Sequence, residues 1–197
     1  MFDVGRVIVR VDVHRALAAL GAAAHLSSEQ VCSAINAEPR KRDFQEGRLP
    51  PRRWHEHLSH RLGFGLTFEQ FCAAWNSALV PETILREELF AQLAPRYRLA
   101  LLSNTDPIHV AHLEGHFSFV RHFPVRVYSC VAGASKPDAA IYARAIEGAC
   151  VAPQEILYID DAAEFVEAGR RAGMEAVIFD GAEQLLEELR RRGILEP

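Results

Sequence analysis

The chain has 197 residues, 49% of them apolar, enough for one hydrophobic core plus a small appendage and too many for a disordered chain. Its formal charge is −4, from 22 basic and 26 acidic residues, so it has no general attraction for nucleic acid or an anionic membrane. No apolar run approaches the roughly 20 residues that span a bilayer, and the charges at Asp3, Arg6, Arg10 and Asp12 break up any signal-peptide pattern.

In chain order, Met1-Phe2 leads to Asp3 and then to a strand-like run, Val7–Val11. From about Asp12 to Leu79 no strand pattern is visible. The spacing predicts four helices there: roughly His14–Ala24, Ser28–Ala37, Pro51–Leu62 and Phe68–Leu79. Ser27 or Ser28 and Thr67 are their expected N-caps, and Gly47, Gly63 and Gly65 their breaks. A helical block placed straight after the first strand implies a lid-like subdomain, residues 12–79, on a core made of 1–11 and 80–197. Leu58, Leu62, Phe68, Phe71 and Trp75 are its expected core.

The second half alternates strand and helix patterns. Arg98–Leu102 is a short apolar run followed by Ser103-Asn104-Thr105 and a helix from Pro107. Pro124–Ser129 alternates as a strand, and Pro137 to about Ala149 has helical spacing. Ile156–Ile159 is a buried-strand pattern ending in Asp160-Asp161. Ala162–Ala172 reads as a helix stopped by Gly173, Ala176–Phe179 as a strand and Ala182–Arg192 as a final amphipathic helix. Repeated β–α units imply an α/β fold, a doubly wound parallel sheet with helices on both faces, binding its ligand beyond the carboxyl ends of the strands.

Cys32, Cys72, Cys130 and Cys150 form no C-x-x-C pair, which argues against zinc or dithiol chemistry, and scattered free thiols fit a reducing, cytoplasmic location. His109, His112 and His116 share one helix face at i, i+3 and i+7, but no carboxylate or cysteine completes a zinc set, so a solvated face is the preferred reading. His55, His57 and His60, with Arg52, Arg53 and Arg61, read as a solvated basic face, or as a surface that attracts an anionic substrate.

Four polar signals stand at or near the ends of apolar runs. Asp3 could attack phosphorus and form an aspartyl-phosphate, splitting one hard step into two; alone it also reads as a solvated acid. Ser103 and Asn104 could hydrogen-bond phosphoryl oxygens, or serve as a helix cap. Lys136 could neutralise developing charge, or lie on the surface; it is one of only two lysines, with Lys41, against 20 arginines. Asp160 and Asp161, adjacent at a strand tip, would repel unless a cation lies between them, and hard oxygen ligands suit Mg²⁺. They also read as a helix cap with a first-turn acid.

In this order and on these elements, FDVG within FDVGRVIVRVD, LLSNT, SKPDAAIY, and YIDD followed by EAGRRAGM resemble the four motifs of the haloacid dehalogenase superfamily. The closest subgroup is the one with an F-D-L-G-N/G-V start, which includes glucose-1-phosphatase-like sugar phosphatases and the N-terminal phosphatase domain of soluble epoxide hydrolases. The helical block fits the family's cap. The resemblance implies Asp3 as nucleophile, Ser103, Asn104 and Lys136 as phosphoryl-binding groups, and Mg²⁺ held by Asp3, the Gly5 carbonyl, Asp160 and Asp161. The implied substrate is a small phosphorylated metabolite, with no nucleic-acid or membrane partner.

Departures from the pattern are specific. Gly5 stands where most family phosphatases carry an acid–base Asp, as it does in the F-D-L-G subgroup, and leaves leaving-group protonation unassigned. Such help is typically worth about 10²–10⁴ in rate. Arg6 replaces a small residue or Asn, Phe165 an Asn, and Val131 an acid. With only Met1 and Phe2 ahead of Asp3, the first strand is short enough to leave neighbouring backbone groups unpaired, and the expectation is a natural start upstream or a truncated form. The leading expectation is a Mg²⁺-dependent phosphomonoester phosphatase acting on a sugar phosphate. Its alternatives are a catalytically weakened binding protein of the same fold and a 2-haloacid dehalogenase, against which the Asp160-Asp161 pair and the Gly5 turn argue.

Overall fold

The computed structural model describes residues 1–196. In chain order its elements are β1 (Val9–Val11), α1 (Val13–Ala24), α2 (Ser28–Asn36), α3 (Lys41–Gln45), α4 (Pro51–Leu62), α5 (Phe68–Asn76), β2 (Leu79–Thr83), α6 (Glu87–Leu93), β3 (Ala100–Ser103), α7 (Pro107–His116), β4 (Val125–Tyr128), α8 (Ser129–Ala132), α9 (Ala139–Ala149), β5 (Leu157–Asp160), α10 (Ala163–Arg171), β6 (Glu175–Ile178) and α11 (Ala182–Arg191). No helix among the described residues is long and apolar enough to cross a membrane.

β3 pairs in parallel with β4, and β5 with β6. The opening segment, residues 1–3, joins the two pairs: Phe2 bridges in parallel to Leu101 on one side and Ile159 on the other. Its amide donates to Ala100 O at 2.8 Å, Leu102 N–H returns to Phe2 O at 2.9 Å, and Asp3 N–H reaches Ile159 O at 2.9 Å. The sheet order is therefore β4, β3, residues 1–3, β5, β6. Side chains alternate across it with the period of two that strands impose. Phe2, Leu101 and Ile159 face one layer with Leu89, Phe90, Leu113, Leu185 and Leu189, hence α6, α7 and α11. Ala100, Leu102 and Tyr158 face the other, with Ile141, Tyr142, Val166 and Ala168 of α9 and α10.

The run Val7–Val11 does not extend the central strand. Arg6 takes a left-handed φ of 62° and the chain folds back, with Arg6 N–H on Val9 O at 2.8 Å and Ile8 N–H on Val4 O at 2.9 Å. Val7 and Ile8 are fully buried in this tight loop, which accounts for their apolar pattern without a strand. Only Val9–Val11 is extended, and it pairs antiparallel with β2, Val9 opposite Thr83 and Val11 opposite Leu79. The fourth helical pattern also runs too far: α5 ends at Asn76, and Leu79 opens β2.

Between β1 and β2 lie α1 to α5. Ser27 and Thr67 close capping boxes with Gln30 and Gln70, and Gly63 ends α4 in the left-handed region. The helices enclose their own core, including Leu20, Val31, Phe44, Trp54, Leu58 and Phe71, which Ile108 of α7 completes from the sheet side. Phe68 lies at the edge of that core, its ring under the Arg52 guanidinium at 4.4 Å. His55 packs among Phe64, Phe68 and Phe71, while His57 and Arg61 face the buried carboxylate of Glu38. These groups are therefore committed to packing and pairing within the block.

Among the contacts that join the helical block to the rest of the chain, two constrain it most specifically. The buried Asp106 accepts from Trp75 Nε1 at 3.0 Å and lies 3.0 Å from His109 Nδ1, whose other ring nitrogen faces Trp75 O at 3.1 Å. A ring between a carboxylate and a carbonyl satisfies both acceptors only when doubly protonated. On the other side, Gly47, at φ 73°, lies so close to Cys130 that an added Cβ would stand 1.9 Å from its carbonyl oxygen.

Gly47→Ala should therefore cost about 2–4 kcal/mol in denaturant unfolding, through a disfavoured φ and a backbone clash that no rotamer relieves. Burial opposes the charged His109 ring, but the Asp106 carboxylate outweighs it and raises the pKa above the ordinary 6.5; Asp106 itself is depressed below 3.8 by His109 and Trp75 despite its own burial. The pair's contribution is complete below His109's unfolded value and above that of Asp106. It is lost as pH rises through the elevated histidine value, and at the acid end as pH falls through the depressed aspartate value. Unfolding free energy between pH 6.5 and 9 should fall more steeply in the wild type than in His109→Gln.

Candidate active site

The carboxyl ends of residues 1–3, β3 and β5 converge. Asp3, Ser103 and Asp160 stand at these three tips, with Lys136 arriving on the loop before α9. The cavity there, about 260 Å³, is lined by Asp3, Arg6, Ser103, Asn104, Lys136 and Asp161 among others. A larger hollow of about 460 Å³ lies at the opposite ends of the strands, against Leu93, Tyr97 and Val151, and gathers no cluster of acids.

Lys136 is the centre of the constellation. Its ammonium donates to Asp3 Oδ1 at 2.7 Å, Asp160 Oδ2 at 2.6 Å and Leu102 O at 3.2 Å. An ammonium has three donors, so all three are used. The Lys136 side chain is 1% exposed and that of Asp160 is sealed. Asn104 holds the Lys136 backbone in a two-bond clasp: Nδ2 donates to Lys136 O at 2.9 Å and Oδ1 accepts Lys136 N–H at 2.7 Å. One N–H and the oxygen of the Asn104 amide are thus used to position Lys136, leaving the second N–H on a residue that lines the cavity.

Asp160 is largely occupied too, with three of its roughly four lone-pair sites filled. Tyr158 Oη donates to the same Oδ2 as Lys136, and Ala162 N–H donates to Oδ1 at 2.9 Å. Burial, then the Asp160 charge, push the Tyr158 phenol well above its ordinary value, so it remains a donor. Sequence patterning took Tyr158 for part of a buried strand. A phenol two residues ahead of an acid on one strand face was the signal for its second role.

Burial raises Asp3 to about 6; Lys136 opposes the shift and Asp160 adds to it. Asp161 is also raised, by burial and then by Asp160, and Arg6 opposes this from 4.0 Å. Asp3, Asp160 and Asp161 each offer an oxygen within 4.8 Å of the others, the one such acid, histidine or cysteine cluster among the described residues. Three crowded acids against one saturated ammonium fit a hard divalent cation. Asp3 Oδ2 and the half-open Asp161 carboxylate are the freest donors, and Gly5 lines the same cavity.

Ser103 is buried, and its hydroxyl makes no hydrogen bond among the described residues while lining the cavity. At Gly5 an added Cβ would meet Val11 Cγ2 at 3.3 Å, so β1 partly fills the space of a longer side chain. Phe165 is not a core residue of α10, whose buried positions are Val166, Ala168 and Gly169. Its ring forms a cavity wall 4.9 Å from Lys136 Nζ. Val131 is 73% exposed on α8 and does not line the cavity. Of the histidines on α7, His109 is locked to Asp106 and Trp75, while His112 and His116 stack on each other at 4.3 Å.

Residues 55–173 match the haloacid dehalogenase-like hydrolase family. A D-ribitol-5-phosphate phosphatase of Bacteroides thetaiotaomicron is 24% identical over 181 residues, covering 89% of this chain and 88% of the relative. A family enzyme from the same organism, solved with magnesium and inorganic phosphate, superposes with a TM-score of 0.83 at 21% identity, covering 92% and 93% of the two chains. A predicted hydrolase of this type from Porphyromonas gingivalis gives a TM-score of 0.80 at 24% identity, covering 97% and 95%.

Tyr158→Phe removes one donor from a carboxylate that cannot reach water. The expected cost is about 1–3 kcal/mol in unfolding free energy and about 10–100-fold in Mg²⁺ affinity by calorimetric titration, since Asp160 would lose its fixed orientation.

Proposed function

We propose that this chain, which belongs to the haloacid dehalogenase-like hydrolase family, is a Mg²⁺-dependent phosphomonoester phosphatase working through an aspartyl-phosphate on Asp3. The observation that carries the reading is the Asp3 carboxylate. Lys136 fixes its Oδ1 at 2.7 Å, and Asp161 and the free Ser103 hydroxyl line the same cavity. A sugar or polyol phosphate is the substrate class supported by the curated relative, which acts on D-ribitol-5-phosphate.

In this reading Asp3 Oδ2 attacks phosphorus, an O–P bond forms and the P–O bond to the leaving group breaks. Water then attacks the same phosphorus, releasing inorganic phosphate and restoring Asp3. Lys136 keeps Asp3 oriented and offsets its charge without a donor to spare for substrate. Ser103 Oγ is placed to donate to a phosphoryl oxygen. Mg²⁺, held by Asp3, Asp161, Asp160 and the Gly5 carbonyl, would neutralise the phosphoryl group and align it. With Gly5 and Val11 where a general acid would need room, the leaving alkoxide takes its proton from solvent.

Phosphate release from an aryl phosphate should require Mg²⁺, stop with a chelator and fall by about 10³-fold or more in Asp3→Asn. Rates across aryl phosphates should rise steeply with leaving-group acidity, because no side chain donates the proton. Activity that survives Asp3→Asn would reject the mechanism.

A further inference from the structure

Three cationic side chains line the catalytic cavity: Arg6, His109 and Lys136. Lys136 spends its donors on Asp3, Asp160 and Leu102 O. His109 spends both ring nitrogens on Asp106 and Trp75 O. Asn104, which is uncharged, uses one N–H and its oxygen on Lys136. The Arg6 guanidinium makes no hydrogen bond among the described residues, and its one charged neighbour is Asp161 at 4.0 Å. It is therefore the one cation on the cavity wall with its donors free.

Its position separates it from the phosphoryl site. Asp3, Ser103 and Lys136 form the buried floor, whereas the Arg6 side chain is 68% exposed at the rim, outside Asp161. Its backbone is held by the Arg6 N–H to Val9 O bond at 2.8 Å, in a left-handed conformation that costs a non-glycine residue free energy. Glycine would fill this turn at less cost. The side chain that stands here presents a planar fork suited to bidentate recognition of a carboxylate or phosphate.

We propose that Arg6 is a specificity-determining residue that binds a second anionic group, carboxylate or phosphate, at the leaving-group end of the substrate. The preferred esters are then doubly anionic rather than simple polyol phosphates. This rests on the phosphatase reading above, and refines its substrate class.

The test uses two non-hydrolysable probes, phenylphosphonate and 4-carboxyphenylphosphonate, titrated calorimetrically into the full chain in Mg²⁺. The wild type should bind the carboxylated probe about 5-fold more tightly, the scale of one rim-exposed ion pair, and the preference should shrink in 1 M salt. In Arg6→Gln the ratio of the two affinities should fall to about one, with a thermal midpoint at or near the wild-type value. A wild type that binds both probes equally, or a preference that survives Arg6→Gln, overturns the proposal alone. Loss of both affinities by the same factor in Arg6→Gln also overturns it, because Arg6 would then hold the phosphoryl group. Failure of both probes to bind the wild type overturns it together with the phosphatase reading.

Discussion

Everything at the catalytic end of the sheet is arranged around one buried ammonium. Lys136 joins the first strand segment through Asp3, β3 through Leu102 O and β5 through Asp160. Placing an ammonium and two carboxylates out of water costs several kcal/mol per ion, and it is tolerated only where the remaining lone pairs and protons are also satisfied. The surroundings meet that demand. Tyr158 and Ala162 complete Asp160, Asn104 fixes the Lys136 backbone, and Phe165 closes one side with its ring. Asp3 keeps one oxygen unclaimed by Lys136, and Asp161, the most exposed of the three acids, has Arg6 at 4.0 Å.

That saturation changes how the cavity treats a ligand. Of the groups that read in the sequence as donors to a phosphoryl group, Lys136 has all three donors occupied, while Asn104 keeps one N–H. What remains free is that N–H, a serine hydroxyl on the floor and an arginine at the rim, with a cluster of acids that favours a cation. The cluster and the free hydroxyl suit phosphoryl chemistry; the rim arginine bears on what lies beyond the phosphorus.

The helical block is coupled to this centre through α7. Asp106 caps that helix, receives Trp75 and pairs with His109, so a single buried carboxylate serves helix start and docking contact together. His109 also lines the catalytic cavity. A shift of the block relative to the sheet would therefore move a wall of the cavity, and the tight approach of Gly47 to Cys130 limits such a shift from the other side.

The fold class was legible because its signals are local: apolar runs with polar ends, helical spacings, N-cap residues at Ser27 or Ser28 and at Thr67, and motifs that match a known order. The sequence by itself also brought Asp3, Ser103, Asn104, Lys136, Asp160 and Asp161 forward, since each ends an apolar run or opens a helix. It misread the start of Val7–Val11, placing Val7 and Ile8 in the strand that begins at Val9, because a buried tight loop and a buried strand are equally apolar. It took the fifth helix through Leu79, because the helix end and the β1–β2 pairing depend on a partner about 70 residues away in the chain. Which donors are spent and which are free, at Lys136, Asn104, Tyr158 and Arg6, was decided by tertiary structure alone. Hydrogen-bond saturation is a property of the atoms a residue meets, and residues 3, 102, 136 and 160 meet only when the sheet forms.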